Sequence, residues 1–322
     1  MPNYIATAGW VGVVSFRGSG VPNPGRLRFT SESIVVNQGL EVSNDVHVGQ
    51  RVAGVFEYRH IIPQGTLAFP MVTTTHVIPP TGQLSVEGVC AHVMRAGIAP
   101  YTDPGGNPER TFSPTKLADE MLVLRGDTTK EIVAPTISSI TVSGNSGARI
   151  DVSCEVMGIY GRYLQGGIPP GFPEIVRAVF FNELDWSRGI PGVTPYGYTD
   201  TAVPRSFNFT SNTNLIQDDS YNPAEPQSLR GFVLGRQDVS CSITVVGAAD
   251  PVRGGRPSAG NPAQNPVVPE VDVGGIYKIK NGLWTAKTIN VAGPAELNVS
   301  EITLTGMGTG FFAVTPGPIL GG

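Results

Sequence analysis

Charge is scarce in this sequence. Asp, Glu, Lys and Arg make up 15% of the 322 residues, against about 25% in an average soluble domain. A surface built from this chain has few ions to hold like molecules apart, so an assembly is expected. A basic excess is missing too. The formal net charge is −4, which argues against a protein that grips nucleic acid through its phosphates. Cysteine is rare: Cys90, Cys154 and Cys241 are an odd number, far apart, with no CxxC spacing. They spell neither a disulfide framework nor a zinc site, and the expectation is three reduced residues in strands. No stretch approaches the ~20 apolar residues of a membrane-spanning helix. The start, Met1-Pro2-Asn3-Tyr4-Ile5-Ala6, has no basic segment followed by an apolar one. Synthesis and assembly in a cytoplasm, without membrane insertion, are expected.

What is abundant is turn chemistry and alternation. Glycine (41) and proline (28) fill about a fifth of the chain, well above average usage. Period-two patterns recur in Trp10–Phe16, Gly65–Val72 and Ser138–Ser143 and predict strands. The clearest hairpin runs from Ile140 through the turn Ser143-Gly144-Asn145-Ser146-Gly147 to Val156, with apolar residues alternating on both sides. Ser113–Leu124 is the best helix candidate. Ser113 suits the N-cap, Pro114 the first helical position, and Leu117, Met121 and Leu124 share a face.

The chain repeats itself. Arg28-Phe29-Thr30-Ser31 is answered by Asn208-Phe209-Thr210-Ser211, each followed by a short apolar pair. The hairpin Ile140–Val156 is answered by Ile289–Gly306, with the second turn shorter by two residues in the alignment of the motifs. Each half also opens on an apolar strand, Val11–Phe16 and Val176–Phe181. Gln165-Gly166-Gly167-Ile168-Pro169-Pro170-Gly171-Phe172-Pro173 breaks any regular element. The boundary falls near 165, giving one β domain over 1–165 and a second over 166–322.

Residues that could carry chemistry are better explained otherwise. His47, His60, His76 and His92 have no metal-ligand spacing. Gly144-Asn145-Ser146-Gly147 is not G-x-S-x-G and reads as a β-turn. Gly18-Ser19-Gly20 lacks the later glycine and lysine of a phosphate loop. Glu183 and Asp185 could form an acid/base pair, but beside Trp186 and Arg188 a loop edge is the plainer interpretation. Arg253–Pro257 begins a Pro/Gly-rich loop with two arginines, and two Asn-x-Ser/Thr sequons mean nothing without secretion. No cofactor or metal is implied.

A duplicated, antiparallel, charge-poor β unit without a catalytic constellation resembles the tail-tube family of long-tailed bacteriophages, in the version whose subunit carries two tube domains. The resemblance covers the whole chain as a pattern of elements. It implies a mainly β chain of two tandem antiparallel tube-type barrel or sandwich domains, with about one short helix each. It further implies three subunits forming a pseudo-six-fold ring, rings stacked into a virion tail tube, and tail-tip, terminator and tape-measure proteins as partners. Double-stranded DNA would pass through. The long polar segments Gln38–Gln50 and Gln217–Gln227 would reach neighbouring subunits, through Asp45, Asp218, Asp219 or Tyr221. Thr141, Ser143, Asp151 and Ser153 are candidates for the lumen. The nearest alternative is a baseplate or tail-tip hub; a β-sandwich decoration or receptor-binding protein and a β-built hydrolase stand further off.

Overall fold

The structure is a computed structural model. It describes residues 12–18, 25–36, 40–42, 56–58, 62–72, 86–98, 117–125, 128–164, 176–186, 204–218, 229–246, 267–290, 299–306, 313–317 and 319–320. The described part is mainly β. Its first strands are β1 (Gly12–Arg17), β2 (Gly25–Phe29), β3 (Ser31–Glu32), β4 (Leu40–Val42), β5 (Phe56–Tyr58) and β6 (Gln64–Pro70). The helix α1 (Val86–Ala96) follows. Next come β7 (Glu120–Arg125), β8 (Thr128–Val133), β9 (Thr136–Asn145), β10 (Asp151–Met157) and β11 (Tyr160–Leu164). After a 3-10 turn (Phe181–Glu183) come β12 (Pro204–Asn212), β13 (Ile216–Asp218), β14 (Gly231–Val233) and β15 (Asp238–Val246). The last strands are β16 (Val267–Val273), β17 (Tyr277–Asn290), β18 (Val299–Gly306) and β19 (Ala313–Pro316).

Among the described residues every strand pairing is antiparallel. One sheet has the order β11-β8-β7-β1-β2. The larger one runs β16-β17-β18-β15-β12-β9-β10-β6-β3, with β19 on β17. Among the described residues neither sheet closes into a barrel. The larger sheet continues from the first half of the chain to the second through β9 and β12, which pair from Asn145–Ser206 to Ser139–Asn212.

Alternation explains the larger sheet. Val142, Val152, Phe69, Phe209, Cys241 and Leu304 are all buried and form one row across six strands. The opposite faces of the same strands carry Ser, Thr, Asn and Asp. The smaller sheet and α1 cover the apolar face, and a single buried cluster runs through both halves of the chain. The chain crosses between the two sheets twice at one corner, from β8 to β9 and from β10 to β11. There Ala134 takes a left-handed backbone (φ 47°) that a non-glycine residue adopts only at a cost. Gly158 lies beside it, where a Cβ would stand 2.4 Å from Ile132 Cγ2.

The helix is elsewhere than expected. Glu120–Arg125 is a strand, because Met121, Leu122, Val123 and Leu124 are all buried and β1 and β8 pair with it on both sides. The spacing of Leu117, Met121 and Leu124 belongs to a continuous apolar run of a central strand. The actual helix buries Val89, Cys90, Val93 and Met94, with Glu87 in its first turn and Arg95 in its last, as the helix dipole favours. Cys90 is therefore on a helix; Cys154 and Cys241 are in strands as expected, and all three are free and buried. Val176–Phe181 is not a strand either. It runs as an extended plug, with Val179 donating to Met71 O and accepting from Ile150 N, and ends in the 3-10 turn.

Candidate assembly interface

Apart from β1, β2 and α1, which have no counterpart among the described residues of the second half, the two halves repeat one order of elements. In the first, β3 leads to the ribbon β4–β5, then β6, then the hairpin β7–β8, then β9 and β10, then β11. In the second, β12 leads to the ribbon β13–β14, then β15, then β16 and the start of β17, then the rest of β17 and β18, then β19. Each half contributes four adjacent strands, in the spatial orders β3-β6-β10-β9 and β12-β15-β18-β17. Numbered by sequence within each half, both read first-second-fourth-third.

Even the irregularities agree. The β9–β10 ladder skips Ser138 between Glu155 and Val156, and the β17–β18 ladder skips Thr285 between Thr303 and Leu304. Both bulges put the extra residue in the first strand of the hairpin, and bulges are inherited features of a fold. Aligning the bulges corrects two details of the sequence repeat. The second connection (residues 291–298) is one residue longer than the first (residues 144–150). The counterpart of Ser206–Ser211 is Ser31–Val36, not the segment around Phe29, and the alternation of exposed and buried residues matches along both.

This repeat creates an interface and leaves its halves at the two ends. Inside the chain β9 pairs with β12. The counterpart of β9 is the last part of β17, and the counterpart of β12 is the segment beginning with β3. Among the described residues no strand lies beyond β17 after Leu283, where the β16 pairing ends, and none lies beyond β3. An edge of this kind is a template for another strand.

All four lumen candidates lie together on the polar face of the larger sheet. Asp151 faces Ser143 and Ser153 faces Thr141. One row passes through Ser31, Ala68, Ser153, Thr141, Thr210, Ser240 and Thr305, and the Thr141 and Thr210 hydroxyls are 3.3 Å apart across the internal junction. A shallow cavity of about 270 Å³ opens on this face beside Arg149 and Asp151, which form an ion pair at 3.0 Å. Asp238 is paired with Arg236 at 3.3 Å, so two of the acidic groups near this face are already matched.

Of the loop candidates, Asp45, Asp219 and Tyr221 lie outside the described residues. Asp218 ends β13, opposite Gly231, and its carbonyl accepts from Arg230 N at 3.1 Å. The loop from Arg253 to Pro266 and the segment Gln165–Pro173 also lie outside them, as do His47, His60 and His76. His92 sits on α1 with Nε2 2.8 Å from Leu117 O. Glu183 is a cap: its carboxylate accepts from Phe180 N at 2.8 Å and pairs with Arg177 at 2.7 Å.

One carboxyl pair had no sequence signal, because its members are brought together only by the β7–β8 ladder. A hydrogen bond with Glu131 pushes the Glu120 carboxyl above its ordinary range, with burial adding to it. Burial also acts upward on Glu131, but hydrogen bonds from Arg162 and Glu120 outweigh it and hold its carboxyl low. Arg17 pairs with Glu120 at 3.5 Å. Among the described residues no three His, Cys, Asp or Glu side chains converge as a metal site, and no helix is long and apolar enough to cross a membrane. No protein-family model and no curated protein matches the chain.

Proposed function

We propose that this protein is a structural subunit that polymerises edge to edge, and that the polymer is the tail tube of a long-tailed bacteriophage. The observation that carries the proposal is the repeated four-strand order with unpaired ends. The chain already contains one finished junction, β9 with β12, and among the described residues the counterparts of those two strands, β17 after Leu283 and the segment beginning with β3, pair with no further strand at opposite ends of the sheet. Joining β17 of one copy to β3 of the next repeats the internal junction between molecules. Such a contact is heterologous, and a heterologous contact closes into a ring when its rotation allows. Three chains of two repeats then form a ring with six similar units, corresponding to two tube domains at 1–165 and 166–322.

The polar face suits the lumen of that ring. Its rows of hydroxyls and paired ions present no excess of cations, so DNA passing along it releases no counterions and is not retained. Stacked rings, capped by tip and terminator proteins and filled by a tape-measure protein before DNA ejection, place the subunit in the virion tail. Asp45, Asp218, Asp219 and Tyr221, on the connections that hold the two ribbons, are the candidates for contacts with a neighbouring subunit or ring. Electron microscopy of the purified protein tests the proposal. Hollow tubes with a regular axial repeat are expected. Discrete trimers point to a hub instead, and monomers at every concentration point to a binding module.

A further inference from the structure

The free end of the sheet at β3 is closed by a side-chain clamp. Ser33 N donates to Thr66 O and Val35 N to Gln64 O, so both face inward to β6. By alternation the N–H and C=O of Ile34 face outward, where a further strand would bond. In the other repeat the counterpart of Ile34 is Phe209, and its partner across the internal junction is Val142. Thr213 N, an even number of residues on, donates to Ser138 O on that side, which fixes the direction of Phe209. At β3 the same two backbone groups are already occupied. Glu32 Oε1 accepts from Ile34 N at 2.5 Å, and Lys130 Nζ donates to Ile34 O at 2.6 Å. Lys130 and Glu32 also hold each other at 2.7 Å, with the Glu32 side chain fully buried and that of Lys130 16% exposed.

We infer that the Glu32–Lys130 pair is an assembly lock: it imitates a neighbouring strand at Ile34 and must yield before a second copy of this chain can dock its β17 there. The inference rests on the edge-to-edge assembly proposed above. Charged groups that block or cover an edge are a known way for sheet proteins to avoid unwanted pairing, and here the charges take up the very bonds that the incoming strand needs. The lock is not seamless. Glu32 Oε2 is buried and finds no hydrogen-bond partner among the described residues, a state that costs stability and eases opening when a strand arrives with matching donors and acceptors. Lys130 belongs to β8 in the smaller sheet, so opening the lock also loosens the seam between the two sheets.

The bulge alignment sets the register of the docked strand: Val35 faces Thr288 of the next copy, as Thr210 faces Thr141 within the chain. The test has two arms. Val35→Cys with Thr288→Cys should cross-link between molecules under mild oxidation, since within one chain these positions lie at opposite ends of the sheet. Glu32→Leu with Lys130→Met, which replaces the pair by apolar groups of similar size, should shorten the nucleation lag of assembly by about tenfold, while Lys130→Arg keeps the slow onset. Cross-linking and assembly with an unchanged lag in a folded double variant overturns the lock and leaves the assembly intact. Absence of both cross-link and polymer overturns the assembly and the lock with it. Hydrogen exchange on the wild-type monomer supplies a check that needs no variant. The Ile34 amide should be protected although it faces outward, and free exchange there refutes the lock.

Discussion

At the scale of single residues, stability rests on aromatic anchors and buried thiols. Phe29, Phe69, Phe181 and Phe209 are all buried. Phe209 lies with its ring centroid 4.3 Å from that of Tyr277, whose hydroxyl donates to Met94 O at 3.1 Å. Phe209→Ala should cost about 3–5 kcal/mol, read as a lower urea midpoint, whereas alanine at His92 or Glu183 should cost about 1 kcal/mol or less. Burial pushes the thiols of Cys90, Cys154 and Cys241 up to about 12, and burial also raises the Tyr277 hydroxyl. In the unfolded chain a thiol ionises near pH 8.5. The folded state keeps protons that the unfolded state has lost, so stability is complete below that pH and falls as pH rises toward 12. Urea midpoints at pH 8 and pH 10.5 should show this fall, and a triple Cys→Ala variant should lose midpoint less steeply over the same interval.

At the scale of elements, the informative comparison is between a junction that is made and one that is free. Ile140 on β9 and Lys287 on β17 occupy equivalent places after their bulges. The residues of β9 on this register face β12, so proline at 140 removes a bond inside the finished sheet and should cost about 3 kcal/mol or more. Proline is tolerated on an edge strand when the missing N–H faces outward. Lys287→Pro should therefore leave a folded monomer, with a thermal midpoint within a few degrees of the parent, and abolish assembly. Normal polymer from Lys287→Pro counts against docking at β17. The same logic explains why α1 was hard to foresee. Val86, Val89, Val93 and Gly88 are poor helix formers, and the helix is held by what it packs on: Gly97, at its end, fits against Ile140, 2.6 Å from where a Cβ would be.

At the scale of the whole molecule, two repeats share one core. The buried cluster runs from Val14 to Leu320, and the end of α1 is held by the second half. Tyr277 bonds Met94 O, Gln237 Nε2 bonds Ile98 O at 2.7 Å, and Arg95 bonds Leu320 O. Unfolding should therefore be one transition. Calorimetric and van't Hoff enthalpies should agree, and near-ultraviolet and far-ultraviolet signals should coincide. Two separated transitions would show that the halves are energetically independent in spite of the shared sheet.

The mainly β character of the chain and the place of its central hairpin are legible in the sequence. Those properties live in local alternation and in turn residues, as at Ile140–Val156, and need no knowledge of distant partners. The sequence also separated the polar side of the sheet, Thr141, Ser143, Asp151 and Ser153, from the apolar side, because a strand's period of two sorts its faces automatically. Pairing with β1 and β8 makes Met121–Leu124 a strand, and only that context could choose, since an apolar run buried on all sides has no periodicity to read. Only the tertiary structure aligned Ser31–Val36 with Ser206–Ser211, because the match is one of burial and ladder position. And only it brought Lys130 to Glu32 and Ile34, nearly a hundred residues apart in the chain, because contacts between sheets are set by how strands cross a corner, which no local pattern encodes.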